Sequence, residues 1–271
     1  MPELPEVETT MLGIKPYVHQ QIVNQVNIYH KSLRWPIDQK LNQKISHKRV
    51  SSLTRRGKYL IFNFDNGNLL IHLGMSGSLR VLDTQTPREK HDHFELIFEN
   101  GKVLRLRDPR RFGAVLWTNT AWTQHKLIKN LGPEPLTTEF DIAYLYQKSR
   151  KKTCSVKSFI MDSHIVVGVG NIYASESLFR AGIHPTRAAN RISKARYLKL
   201  IEAIKWILKR AIREGGTTLK DFTNADGKPG YFTQSLNVYG KAEQACPNCN
   251  TPIKHKVIAQ RATYYCPQCQ H

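Results

Sequence analysis

Four cysteines near the end of the 271-residue sequence carry its plainest chemistry. Cys246 and Cys249 stand in "CPNC", Cys266 and Cys269 in "CPQC", and sixteen residues separate the two pairs. Thiolates at this spacing fit a tetrahedral zinc site, which a segment too short for its own core needs in order to fold. Sulfur takes all four positions and leaves none for water, so the expected cofactor is one structural Zn2+. Cys154 has no partner in the sequence and is given no role. At the other end, "MPELPEVETT" sets three glutamates among two prolines in a chain of formal charge +20. Local helix chemistry accounts for part of this. Pro5 suits a first helical turn, and Glu6 and Glu8 face the positive end of the helix dipole, Glu8 as a surface acid. Val7, Met11 and Ile14 then form one apolar stripe.

The elements that must position these groups are legible in outline. "KYLIFNF" and "NLLIHL" flank "DNG", while "FELIF" and "KVLRLR" flank "ENG", and apolar runs joined by Asn-Gly turns predict hairpins. "GMSGSLRVL" adds extended chain between them. Residues 1–132 therefore read as an antiparallel β domain with an N-terminal helix. "LGPEPL" marks a boundary, because two prolines in three residues favour extended chain. Residues 133–236 turn helical. "ARYLKLIEAIKWILKRAIREGG" puts Leu198, Ile201, Ile204, Leu208 and Ala211 on one face, and "NIYASESLFRAGIHP" reads as a helix capped by Asn171 and closed near Gly182. Residues 237–271 hold the cysteines around "TPIKHKVIAQRATYY", which has the character of a hairpin presenting Arg261.

Forty-one Lys and Arg against 21 Asp and Glu favour a polyanionic partner, nucleic acid before membrane. No apolar run approaches the roughly 20 residues needed to span a bilayer, and the acidic start is unlike a signal peptide. The expectation is a cytoplasmic protein with reduced thiols.

An ordered set of motifs is far more specific. "MPELPEVET", "RRGKY" around Lys58, "HLGMSGSLR" around Met75, "KHDHFEL" around His91 and "DPRRFG" around Arg110 come first. "VVGVGNIYASESLF" around Asn171, "GGTTLKDF" and "QRATYYCPQCQ" complete it. From first residue to last the chain resembles bacterial formamidopyrimidine-DNA glycosylases. The resemblance implies an α+β multidomain fold: an N-terminal β-sandwich with a catalytic N-terminal helix, a helix–two-turn–helix DNA-binding domain, and a zinc-ribbon hairpin. It implies a bifunctional glycosylase and lyase of base excision repair that removes oxidised purines from damaged double-stranded DNA. A monomer is the default state.

It also assigns roles. Met1 is removed, and the freed Pro2 nitrogen, a secondary amine, attacks C1′ and forms a cationic iminium. Glu3 handles protons at the ring oxygen and the leaving base. Lys58 acts in proton transfer and phosphate contact during elimination, and Arg261 assists loss of the second phosphate; on charge alone, nearby Lys and Arg, with Lys58 a candidate, are expected to lower the Pro2 amine's pKa. Met75, Arg110 and Phe112 fill the void left by the everted nucleotide. His91, Lys152 and Asn171 contact the backbone, and the segment from Thr217 to Tyr231 closes over the base. Two rivals remain at this stage: the sister endonuclease VIII family, acting on oxidised pyrimidines, and a zinc-ribbon DNA-binding protein without catalysis.

Overall fold

The computed structural model describes residues 2–217 and 232–271, so Met1 and most of the expected closing segment, residues 218–231, lie outside the description. The described chain forms two compact units, one of residues 2–130 with 214–217 and one of residues 131–213 with 232–271.

The first unit opens with helix α1 (Leu4–Val18), followed by β1 (Val23–Ile28), α2 (Leu41–Ile45), β2 (Ser52–Arg56), β3 (Tyr59–Phe64), β4 (Gly67–His72), β5 (Ser78–Asp83), β6 (Asp92–Phe98), β7 (Lys102–Arg107) and β8 (Ala114–Thr118). The strands form two four-stranded antiparallel sheets, ordered β1-β6-β7-β5 and β2-β3-β4-β8. Both Asn-Gly hairpins are present, with Phe64 opposite Gly67 at one tip and β6 paired to β7 in the other. Leu60, Phe62 and Leu69 from one sheet meet Phe94, Leu96 and Leu104 from the other in a single core, which Val7 and Ile14 of α1 also enter. Their burial removes apolar area worth roughly 1.5–3 kcal/mol for each such side chain.

The second unit contains α3 (Ile142–Ser149), α4 (Val156–Met161), α5 (Asn171–Arg180), α6 (Lys194–Arg213), and the antiparallel hairpin of β9 (Lys254–Ile258) and β10 (Arg261–Tyr265). Short caps set these helices. Asp141 accepts from the Tyr144 N–H at 2.8 Å, and Ser155 from Ser158 at 3.2 Å. Gly182, at φ +65°, turns the chain out of α5.

Four local expectations are corrected. Gly170 caps α5 and Asn171 is its first helical residue, which frees the Asn171 side chain for other partners. Leu198 is 46% exposed, because Tyr197 takes the inward position, donating to the Ala189 carbonyl at 2.9 Å and meeting Phe159 edge-on. Lys58 belongs to the turn between β2 and β3, not to the strand. Glu8 is no free surface acid, since the Arg55 Nε donates to it in a largely buried ion pair.

Candidate functional site

In the first unit Pro2 and Glu3 are buried where the chain enters α1, with Glu3 only 1% exposed. Glu3 and Glu6 form a capping box, in which the Glu3 N–H donates to Glu6 Oε2 at 2.8 Å. The second Glu6 oxygen accepts from the Thr217 N–H at 2.8 Å and its hydroxyl at 2.9 Å. One buried carboxylate thus fixes the backbone of Glu3 and the first residue of the expected closing segment. Gly216 permits this approach, with φ +82° and a Cβ there meeting Glu6 Oε1 at 3.1 Å.

Arg55 links α1 to the Lys58 turn. Its Nε holds Glu8, and its Nη1 donates to the Gly57 carbonyl at 2.9 Å. Beside this turn His72, paired with Tyr59 across the ladder, accepts the Gly74 N–H on Nδ1 at 2.9 Å and lies 4.8 Å from the Tyr59 ring. Burial first, then the charges of Lys58 and Arg34, push its pKa down to about 4.

Met75, Arg110 and Phe112 sit on two loops that Asp108 ties together. Asp108 is fully buried. Its Oδ1 accepts from the Ser76 hydroxyl at 2.9 Å, and its Oδ2 from the Gly113 N–H at 2.8 Å. Ser76 in turn accepts from the Arg110 N–H at 3.2 Å. The loops touch so closely that a Cβ at Gly74, where φ is +63°, would meet the Phe112 carbonyl carbon at 2.4 Å. Met75 is left 37% exposed and Phe112 43% exposed, with the Arg110 guanidinium 4.9 Å from the Phe112 ring centroid. Two large apolar side chains and a cation offered to solvent on anchored loops suit insertion into a duplex better than a core. His91 joins the assembly through its carbonyl, which accepts from the Asp108 N–H at 3.0 Å.

In the second unit several side chains converge on the start of β10, where Arg261 is the exposed first residue. Asn171 Nδ2 donates to the Ala262 carbonyl at 3.0 Å and to the Tyr239 hydroxyl at 3.4 Å. Lys157, 1% exposed, donates to the same carbonyl at 2.9 Å and to the Thr263 hydroxyl at 2.7 Å. The Glu176 carboxylate, also buried, gathers the N–H groups of Asn237, Val238 and Tyr239, each at 2.9 Å. Lys152 is exposed beyond α3, its N–H on the Ser149 carbonyl at 2.9 Å.

The four sulfurs of Cys246, Cys249, Cys266 and Cys269 lie within 4.8 Å of one another. Individual separations of 3.4, 3.5 and 3.9 Å bracket the ~3.8 Å edge of a tetrahedron with Zn–S bonds near 2.3 Å. Burial, then hydrogen bonds from neighbouring thiols, raises the pKa of Cys269, whereas bonds from Thr251 lower that of Cys249 to about 6. Four sulfurs this close cannot all ionise without a cation between them, so the residues fit one structural zinc. Its role is to fix the hairpin that carries Arg261.

Glu6, Arg55, His72, Asp108, Lys157, Glu176 and Tyr239 escaped the reading of the sequence as site residues. Glu6 and Asp108 stand inside the quoted motifs, but their roles depend on contacts 211 and 32 residues away.

Three family models cover nearly all of this frame. The formamidopyrimidine-DNA glycosylase N-terminal domain matches residues 1–115, the formamidopyrimidine-DNA glycosylase H2TH domain residues 131–223, and the zinc finger found in FPG and IleRS residues 243–271. The chain belongs to the formamidopyrimidine-DNA glycosylase family. It is 55% identical over 270 residues to the formamidopyrimidine-DNA glycosylase of Marinobacter nauticus, covering 100% of each chain. A Lactococcus lactis FPG mutant in complex with Fapy-dG-containing DNA superposes with a TM-score of 0.93 at 33% identity, again over 100% of both chains. The Lactococcus lactis Fpg bound to abasic-site DNA gives 0.92 at 34% identity over 99% of each.

Proposed function

We propose that the chain is a bifunctional DNA glycosylase and abasic-site lyase of base excision repair, with the Pro2 nitrogen as nucleophile and oxidised purines in duplex DNA as substrates. The observation that carries this reading is the buried Pro2–Glu3 start of α1, held by Glu6 in a unit that also carries Lys58. With Met1 removed, Pro2 is a secondary amine, the nucleophile of this reading.

The amine forms a bond to C1′ as the glycosidic bond breaks and the base departs with its electron pair. Glu3 supplies the proton that the departing base or the opening ring oxygen needs. The nitrogen then loses its proton and the C1′–O4′ bond breaks, its electron pair going to the protonated ring oxygen. The resulting iminium withdraws electrons from C2′, whose proton can leave as the C3′–O bond breaks and the 3′ phosphate departs. Lys58 steadies the phosphate charge in that step, and Arg261 serves the later loss of the 5′ phosphate. Eversion of the nucleotide costs a few kcal/mol, which Met75, Phe112 and Arg110 offset by filling the void and engaging the orphaned base. His91, Lys152 and Asn171 serve the backbone, Asn171 chiefly by fixing the start of β10. The 1–132, 133–236 and 237–271 segments are the working domains, and the enzyme acts as a cytoplasmic monomer. No described helix is long and apolar enough to cross a membrane.

The test is a nicking assay on duplexes carrying 8-oxoguanine or thymine glycol, with Met1-processed and Pro2→Gly protein. The expected result is nicking at 8-oxoguanine at least about tenfold faster than at thymine glycol, with loss of both in the variant. Preference for thymine glycol would move the substrate to oxidised pyrimidines, and full activity of the variant would remove Pro2 from the chemistry.

A further inference from the structure

The outer face of α6 bears a feature that the repair chemistry does not use. Seven cations, Lys194, Arg196, Lys199, Lys205, Lys209, Arg210 and Arg213, share this helix with one carboxylate, Glu202. Among them Trp206 stays 40% exposed, an unusual place for a large aromatic ring. The Arg180 guanidinium at the end of α5 lies 3.6 Å from its ring centroid, and that of Arg210 lies 5.4 Å away. Two like charges therefore converge on one ring. Arg180, Lys199, Lys209 and Arg213 make no ion pair among the described residues.

Beside the ring opens a cleft of about 600 Å³ within the second unit. Phe179, Ala203 and Ile207 give it an apolar floor, Arg180, Lys199 and Arg210 a cationic rim, and Asn237 and Asn248 two carboxamides. We propose that this cleft is a docking site for an acidic peptide segment of a partner protein, with one apolar side chain seated on the floor and carboxylates on the rim.

Charge complementarity selects an anionic occupant, and two details favour a peptide over a nucleic-acid strand. Guanidinium groups already occupy the Trp206 ring, so it is not an open platform for a base. The Asn248 carboxamide carries a donor and an acceptor side by side, the complement of a peptide group, while Asn237 Nδ2 is held by Glu176 Oε2 at 3.2 Å and leaves its oxygen toward the cleft as an acceptor only. The volume of about 600 Å³ lies in the range of clefts that enclose a bound group of small-molecule size. The inference does not depend on the glycosylase chemistry.

The test uses the intact zinc-loaded protein and a fluorescein-labelled twelve-residue peptide of aspartates around one central phenylalanine, followed by anisotropy at physiological salt. A control peptide carries serine in place of the phenylalanine, and oligothymidylate is titrated in parallel. The expected result is binding that weakens at least about tenfold in the Arg180→Glu/Lys199→Glu protein and in Trp206→Ala, as for truncated Arg and Trp anchors. Arg180→Gln, a milder change, gives a smaller loss, and 8-oxoguanine nicking is unchanged in all three. Equal binding of the serine control, or undiminished peptide binding by the variants, would overturn the proposal. So would oligothymidylate binding that the same substitutions abolish while the peptide does not bind.

Discussion

His72 has a physical reason to stay neutral, since it is enclosed between the Tyr59 ring and the Gly74 amide with Lys58 nearby. Its pKa falls from the ordinary 6.5 to about 4 in the folded chain. Between those values the unfolded chain binds the proton and the folded chain does not, so the contribution is present above about pH 6.5 and is lost as pH falls toward 4. The loss is on the order of 3 kcal/mol. Urea unfolding midpoints measured from pH 7 to 4 should therefore fall less steeply for His72→Gln than for the parent, and parallel curves would reject the assignment. Glu3 yields a second prediction at this scale. Departure of a base needs a proton, whereas attack on a preformed abasic aldehyde needs none for a leaving base. Glu3→Gln should lose 8-oxoguanine excision by at least about 100-fold while still nicking abasic DNA, in line with the usual worth of a positioned acid. Equal loss of both activities would place Glu3 outside base release.

Elements matter here because loops, not strands, carry the exposed groups, and buried polar residues hold the loops. Asp108→Ala removes two acceptor oxygens and leaves the Ser76 hydroxyl and the Gly113 N–H without their partner. Orphaned buried donors cost about 1–3 kcal/mol each. The variant should therefore unfold at lower urea and excise 8-oxoguanine at least about tenfold more slowly, with less fluorescence change from a 2-aminopurine placed opposite the lesion. Unchanged kinetics despite lower stability would show that the loops need no such anchor. The sequence carried the hairpins, the long helix and the cysteine knuckles openly, because alternation, 3.6-residue spacing and C-x2-C are local patterns. It did not carry Asp108 or Glu176 in their observed roles. An acidic residue in a turn or helix has the same local appearance whether it faces water or collects buried N–H groups from residues far along the chain. Leu198 misled for a related reason: the apolar stripe of α6 is broad enough to be drawn through it, and only packing showed that Tyr197 faces inward.

Across the whole molecule, zinc and charge set the conditions under which DNA is held. The cysteine cluster anchors β9 and β10, and Gln270 extends that anchorage by accepting the Cys266 N–H and donating to the Ile183 carbonyl, each at 2.9 Å. Removing the ion with a strong chelator should release one zinc per chain, unfold the hairpin and weaken duplex binding, which metal analysis with anisotropy would follow. Retained affinity in zinc-free protein would separate the hairpin from DNA binding. The excess of 41 basic over 21 acidic residues further predicts an affinity that falls with log[salt] by roughly 0.9 per neutralised phosphate. The most direct measurement remains borohydride reduction of the reaction between Met1-processed protein and 8-oxoguanine duplex, followed by mass spectrometry of the N-terminal peptide. The account predicts a stable adduct on the Pro2 nitrogen that appears in step with base release. No adduct, or one mapped to a lysine, would contradict it.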